Sequence, residues 1–504
     1  MLSHPNSMHT IDTLEPRRLL SFAFDYAAAF GDKSTLDSGN AVVVDSAGNS
    51  YFGGTFQGKI DVNKSNHGQN FLKTTPDNND AFLVKYDPNG KLLWAQKYAS
   101  ERYESIEHLV IGSNGDLYAS GVFERTVDFD AGRGVHALTS RGRTDAFILH
   151  LTPNGKYVWA GSIGGQRDDD ITALAVGPSG DMYYSGFVRL SGDADPTRAV
   201  HTITDRGVDD TIIARLDGTS GAIKWMKVYG ENSTRETVFG LAVDGSENVT
   251  AAGEFNDTVQ FDRHGTTFNR QAVGDDDVYV ARLNSRGDFQ FIKTFGGNHD
   301  DTVVDMAQDS AGNLYLTGNF AKTADFDPGP GEKLLAAPGD SAAYILKMDS
   351  DANLTWVRQI GEAIVNGNSD RAIIMARGIA VDAAGNVFTI GDFDGTVDFD
   401  PSSALHIIDI NKSNNTASIP TQLQPSDGYI HELDPNGKFV EVQHWGGSDG
   451  SILPHDLAVD SSGGINITGA FASFVDLNPG RGFFRRSTQK DRKDTNVFLM
   501  KLLE

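Results

Sequence analysis

Met306-Ala307-Gln308-Asp309-Ser310-Ala311-Gly312-Asn313-Leu314-Tyr315-Leu316-Thr317-Gly318-Asn319-Phe320 sets two short apolar runs around a bend of Asp, Ser, Gly and Asn. That is the pattern of a β-hairpin whose turn needs residues tolerant of positive φ. Copies of it can be registered on the residue that opens the bend: Asp45, Gly112, Gly177, Asp244, Asp309, Asp382 and Asp460. The successive spacings are 67, 65, 67, 65, 73 and 78 residues. Each unit contains four strand-like runs, A to D, which in the fifth are 306–308, 314–317, 343–348 and 354–359. Internal repetition of this kind overrides a domain count based on length.

Runs C and D are joined by a second turn, as in Asp87-Pro88-Asn89-Gly90, Thr152-Pro153-Asn154-Gly155 and Asp434-Pro435-Asn436-Gly437. Pro presets φ at the second position and Asn-Gly supplies the positive-φ corner. Run D carries Trp94, Trp159, Trp225 and Trp356, with Phe291 in the fourth unit, a register expected of rings covering the flank of a neighbouring unit. In the seventh unit run C, 497–502, meets the end of the sequence, so its run D is missing. An unclaimed D-like run, 21–31, precedes the first A. A closed ring satisfies both ends and removes exposed sheet edges. The expectation is an all-β chain: a single seven-bladed β-propeller over residues 21–504, four antiparallel strands per blade, the last blade completed by the N-terminal strand. Residues 1–20 stand outside the repeat as a disordered segment.

The formal charge of −25 disfavours nucleic acid and anionic membranes and favours cationic partners. Without cysteine there is no disulfide, thiolate nucleophile or Cys-ligated metal. No run approaches the roughly 18 apolar residues of a membrane-spanning helix. The Gly-x-Ser-x-Gly, His-Glu-x-x-His, P-loop and dinucleotide patterns are absent. His108, His136 and His299 fall at unrelated repeat positions and read as surface or packing residues.

Leu457-Ala458-Val459-Asp460, Ile379-Ala380-Val381-Asp382 and Asp80-Ala81-Phe82-Leu83-Val84-Lys85, with the Gly-Asn and Asp-Pro-Asn-Gly-Lys turns, resemble the bacterial β-propeller repeat called SBBP. Leu14-Glu15-Pro16-Arg17-Arg18-Leu19-Leu20-Ser21 resembles the LEPR-XLL segment near the N-terminus of some bacterial secreted or surface proteins. The resemblances imply an exported or cell-surface bacterial protein and bring no established catalytic residues.

Strand parity puts the A–B and C–D turns on one face and the longer B–C and D–A connections on the other. Loops on a rigid β scaffold are where binding usually resides. Asn319 to Ala342, Gly361 to Arg377 and Asp400 to Ser426 are the longest of these, the last two expected to be mobile, and Asp168-Asp169-Asp170, Asp300-Asp301 and Asp449 should make this face negative. Within the B–C connections an Asp-x-Asp recurs, best formed at Asp128/Asp130, Asp325/Asp327 and Asp398/Asp400. Alternation puts both carboxylates on one side of an extended segment, where they can hold Ca2+ or cap a Pro-Gly turn. The Asp ahead of run C (Asp80, Asp145, Asp210, Asp277, Asp427) reads as a loop cap. Nearly every acidic position repeats from unit to unit, and no unit-specific cluster stands out. A catalytic site needs two groups in different environments. The leading expectation is therefore a monomeric, non-enzymatic binding or scaffold module engaging a protein or glycan through the long-loop face, with Ca2+ the candidate cofactor. The alternative is a polysaccharide hydrolase or lyase with acidic residues at the central funnel.

Overall fold

The Asp309 bend closes as its residues dictate. Asp309 Oδ1 accepts the amides of Ala311 at 3.0 Å and Asn313 at 2.9 Å, and Oδ2 accepts the Asn313 side chain at 2.8 Å and the Tyr315 hydroxyl at 3.0 Å. Gly312 takes the left-handed corner at φ 85°, where a side chain is disfavoured. The same backbone caps recur at Asp45 and Asp382.

The computed structural model describes residues 22–31, 36–63, 70–74, 78–189, 191–197, 199–203, 210–229, 236–261, 269–363, 372–410, 425–447, 450–480, 484–488 and 494–503. Among these, every regular element is a β-strand. They form seven four-stranded antiparallel meanders, each paired A-B-C-D. In the fifth unit these strands are Asp305–Gln308, Leu314–Asp325, Leu334–Met348 and Leu354–Glu362. The A strands lie side by side in chain order, and the seventh, Ser451–Val459, lies against the first, Ser38–Val44, closing a ring.

The strand that completes the seventh sheet is Ala23–Phe30. It runs antiparallel to Asn496–Leu503, with Phe24 opposite Leu502 and Ala29 opposite Phe498. The LEPR-XLL-like segment lies outside the described residues.

Neighbouring units are fastened at the D-strand aromatics. A Cβ added to Gly155, Gly221, Gly287 or Gly437, in the C–D turn of the next unit, would come within 3.2, 3.3, 2.8 and 2.8 Å of Trp94, Trp159, Trp225 and Trp356 respectively. Each indole N–H also donates to a carbonyl of that turn, at Pro153 (3.4 Å), Gly218 (2.9 Å), Ser285 (3.0 Å) and Pro435 (3.2 Å). Tyr26 repeats the arrangement over Gly90, at 3.3 Å, so the N-terminal strand grips the first unit as a tryptophan would. The rings thus cover the flank of the neighbouring unit, as their register requires.

The B–C connections differ from the expected loops. Strands 314–325 and 334–348 stay paired beyond the sheet, through Thr323 opposite Ala336 to Asp325 opposite Leu334. Shorter ribbons do the same at Thr126–Asp128 with Ala137–Thr139 and Thr396–Asp398 with Ile407–Asp409. Lys322, at φ 57°, lets the strand bend at a bulge and resume pairing. The Ala-Lys-Thr-Ala run there carries too little apolar alternation to read as strand from sequence. The mobility expected of 361–377 and 400–426 falls largely on 364–371 and 411–424, outside the described residues.

Candidate functional site

In six A strands the ladder to strand B skips one residue at the same place, leaving Asn40, Glu107, Thr172, Phe239, Arg377 and His455 as the extra residue of a bulge. The shorter fifth strand has Val304 at that register. A bulge re-aims its side chain. Here the bulges bring Asn40, Glu107, Phe239, Arg377 and His455, with Val304 at the same register, to one cavity of about 240 Å3, lined from all seven A strands and therefore central to the ring. Every one of these residues sits five positions before the residue that opens its A–B bend. The column one residue later adds His108, Asp305 and Asp456 to the lining.

The bulge column carries a different residue in every unit, and the cavity is two-sided as a result. The fourth and fifth units give an apolar wall of Phe239, Leu241, Val304 and Met306. The sixth, seventh, first and second units give a polar wall of Arg377, His455, Asn40 and Glu107.

The polar side chains are tied to neighbouring A strands. Asn40 Nδ2 donates to the Ile106 carbonyl and the Ser105 hydroxyl, both at 3.0 Å. His455 Nδ1 lies 3.0 Å from the Gly39 carbonyl, which fixes the proton on that nitrogen, and 3.1 Å from Ser38 Oγ. Asp456 Oδ2 accepts the Val42 amide at 2.7 Å and Asp305 Oδ2 accepts the Ile379 amide at 2.9 Å. Part of this set therefore holds the ring together, satisfying backbone groups at the open edge of each A strand.

Burial sets the protonation states. Glu107 faces Asp170 of the third unit, and burial followed by that neighbouring charge raises Glu107 well above the carboxylate range. Asp170 is pushed to about 6, chiefly by burial. Two such carboxyls hold one proton between them near neutrality. Burial also pushes Asp305 to about 6 and raises Asp456 well above its ordinary value, the Asp305 charge adding to the latter. His108 and His455 are held down to about 4 by burial, so both imidazoles are neutral at pH 7. Arg377 Nε donates to Asp392 at 2.8 Å. Glu107, Arg377 and His455 line the cavity and keep part of their surface open. A carboxylic acid, a guanidinium, an amide and an apolar wall around one cavity can hold a small polar molecule with an apolar side, and an acid tuned toward neutrality can transfer protons.

The expected Asp-x-Asp residues are elsewhere, at the tips of the B–C ribbons. Asp128 Oδ1 accepts the amides of Asp130 at 3.0 Å and His136 at 2.8 Å, and Asp130 Oδ1 accepts that of Gly132 at 2.9 Å. Asp325 and Asp327 repeat this toward Asp327, Lys333 and Gly329 at 3.0, 2.7 and 2.8 Å. Asp398 and Asp400 do so toward Asp400, His406 and Ser402 at 3.1, 2.9 and 2.9 Å. The intervening Phe129, Phe326 and Phe399 are buried and anchor each ribbon. One oxygen of every such carboxylate is thus committed to capping its own loop. Among the described residues no group of three or more His, Asp or Glu is arranged to hold a metal ion. The Asp ahead of strand C is a cap as expected: Asp145 Oδ2 accepts the Arg141 amide at 3.0 Å and Asp277 Oδ2 that of Val273 at 2.8 Å.

One sequence expectation is corrected by the channel. A unit-specific cluster exists, and His108, expected as a surface or packing residue, is buried at its edge beside His455 of the seventh unit. The signal was present as one aligned column whose residue differs in all seven units, beside two, those of Leu457 and Ala458, that stay apolar.

No family model matches the chain. The regulatory protein FlaEY of Caulobacter vibrioides is 25% identical over 177 residues, which is 35% of this chain and 18% of that protein. The chain therefore spans about a fifth of that relative. Among solved structures, the quinohemoprotein alcohol dehydrogenase ADHIIG of Pseudomonas putida superposes with a TM-score of 0.41 at 9% identity, covering 96% of this chain and 76% of that one. A polysaccharide lyase described as an ulvan lyase gives 0.42 at 9% identity, covering 92% and 97%. Likenesses this loose carry nothing about activity. No helix among the described residues is long and apolar enough to cross a membrane.

Proposed function

We infer that the chain is a seven-bladed β-propeller of the exported, cell-surface SBBP kind, acting as a monomeric binding module. Its ligand is a glycan unit or a protein side chain drawn into the central channel from the long-loop face. The observation that carries this reading is the bulge column: in a ring built of repeats, a register whose residue differs in all seven units borders one cavity with an apolar and a polar wall. Pure scaffolding gives no reason for that asymmetry. Export is supported by the resemblance of residues 14–21 and of the repeat itself.

A glycan array with a thermal-shift screen of sugars and peptides tests the reading. Any ligand found should be lost from Phe239→Ala and Arg377→Ala and retained by Asp398→Asn at a ribbon tip. A ligand that binds the channel variants undiminished would refute it. A second reading, a polysaccharide hydrolase or lyase, is favoured by the Glu107–Asp170 pair, whose environments separate an acid from a base. Turnover of any polysaccharide, abolished by Glu107→Gln, would select the enzyme over the binding module.

A further inference from the structure

Seams between units bring the Asp that starts strand C against an acidic residue at the start of the next A strand. Asp80 meets Glu104, Asp145 meets Asp169, and Asp277 meets Asp301. In the first and second units the strand-C carboxylate has a cation beside it, and in the sixth an imidazole. Lys97 Nζ lies 2.8 Å from Asp80, an Arg141 nitrogen 3.8 Å from Asp145, and His444 Nδ1 2.8 Å from Asp427. Lys97 and His444 share one register, opposite Phe82 and Tyr429. In the fourth unit that register, opposite Tyr279, is Thr294, and the place of Arg141 is taken by Val273.

The Asp277–Asp301 seam therefore has like charges and no built-in counter-charge. Asp277 is 2% and Asp301 1% exposed, and among the described residues neither forms an ion pair. One oxygen of each is capped, Asp277 Oδ2 by the Val273 amide at 2.8 Å and Asp301 Oδ2 by the Gly297 amide at 2.5 Å. The other, Oδ1 in both, is buried without a hydrogen-bond partner. Space is kept in front of the pair by Gly296, where a Cβ would lie 2.2 Å from Asp277 Oδ1 and 3.0 Å from Asp301 Oδ2. Asp276 and Asp300 add negative charge beside them.

We propose that this seam holds a hard divalent cation between Asp277 and Asp301, with the two free Oδ1 atoms as ligands. Ca2+ is the probe of that class, and backbone carbonyls and water complete its six to eight oxygens. The site is separate from the Asp-x-Asp tips and independent of the channel ligand. Asp80 Oδ1 and Asp145 Oδ1 are orphaned as well, but a lysine or arginine stands beside those carboxylates; at Asp277 and Asp301 no ion pair does so among the described residues, and a bound cation would satisfy both oxygens. Protons compete for the same carboxylate oxygens, so the metal binds more tightly as pH rises.

The test uses the full chain stripped with chelator at pH 8 and titrated with CaCl2, read by calorimetry and by melting temperature. Wild type should take up Ca2+ and melt several degrees higher with it. Asp277→Asn and Asp301→Asn, which keep the loop-capping oxygens, should lose both responses, whereas Asp398→Asn keeps them. Thr294→Lys supplies the charge that Lys97 gives the first unit, so it should melt above wild type in chelator and no longer respond to Ca2+. Absence of Ca2+ uptake by wild type, or an undiminished response in Asp301→Asn or Thr294→Lys, would overturn the proposal in favour of a proton-sharing pair.

Discussion

Truncating Trp356 should unfasten the fifth unit from the sixth. Its side chain is 8% exposed, lies on Gly437 and donates to the Pro435 carbonyl at 3.2 Å, while Arg358 reaches the Gly437 carbonyl at 2.6 Å beside it. Removing a buried ring of this size costs about 3–5 kcal/mol. An unfolding entropy near 2.1 cal/mol/K per residue, over 504 residues, makes each degree of melting temperature worth about 1 kcal/mol. Trp356→Ala should therefore melt about 3–5 °C below wild type in calorimetry at fixed pH. Trp356→Phe keeps a ring and loses the N–H, a net cost of about 1 kcal/mol. The sharper test is the double variant. Gly437→Ala puts a Cβ 2.8 Å from the indole at a backbone φ of 73°, so alone it meets both clash and strain. In the Trp356→Ala background the clash vanishes and only the strain is left, so the second substitution should cost clearly less there than in wild type. Equal costs in both backgrounds, or a Trp356→Ala that melts with wild type, would refute the clasp.

Stability should rise as pH falls from 8 toward about 5 in chelator. Burial pushes Asp145 and Asp169 to about 6 and Glu104 to about 7, so the folded chain holds more protons than the unfolded one above about pH 4. Neutral buried His108, His431 and His455, held to about 4, act in the opposite sense below about pH 6.5 but are outnumbered once Asp170, Asp277, Asp301 and Asp305, raised to about 6 or 7 in the same way, are added. A melting temperature that falls steadily from pH 8 to 5 would contradict this balance. At a ribbon tip, Asp398→Ala gives up the caps to Asp400 and His406 and should cost about 1–2 kcal/mol, whereas Asp398→Asn keeps an oxygen and should be near neutral. Loss of a Ca2+-dependent stabilisation in Asp398→Asn would instead place a metal at that tip. Deleting residues 1–31 removes the strand paired with Asn496–Leu503 and should yield insoluble protein, while deleting 1–20 leaves the melting temperature unchanged; equal behaviour of the two would contradict ring closure through that strand.

The strand order, both turn families and the pairing of head with tail were legible because each rests on local chemistry in a fixed register. Asp309 and Gly312 announce a bend whatever surrounds them, and Trp94 or Trp356 announces a flank to cover. The channel was not legible in the same way. A bulge of one residue moves Glu107 and His455 off the alternating faces of the A strand, and no periodicity argument carries across it. The ribbons were missed for a different reason: Ala321, Thr323 and Ala324 pair through their backbones around the bulge at Lys322 while offering little apolar alternation. The Asp-x-Asp motif was visible, but its role depends on whether the Oδ1 atoms turn back on the chain, which they do.

Departures from the repeat follow the same logic. In six units strand C sets a basic residue opposite the D-strand aromatic: Lys85/Trp94, His150/Trp159, Arg215/Trp225, Arg282/Phe291, Lys347/Trp356 and Lys501/Tyr26. Several of these cations donate across the seam to the next C–D turn, Lys85 to Pro153 at 3.2 Å, Arg215 to Ser285 at 2.9 Å and Arg282 to Ser350 at 2.7 Å. The sixth unit alone has Glu432 opposite Glu441, a like-charged pair that cross-strand packing disfavours. Its neighbour is the unit whose C and D strands come from opposite ends of the polypeptide, so no C–D turn lies there to accept a hydrogen bond. What that seam offers is the start of a strand: Glu441 accepts the backbone N–H of Phe22, and Gln443 donates to the Phe22 carbonyl at 3.3 Å. The Phe22 N–H is the group that has no counterpart at the other seams, and an acceptor is the side chain that meets it. The exchange of donor for acceptor at the one seam without a turn is thus a consequence of how the ring is closed.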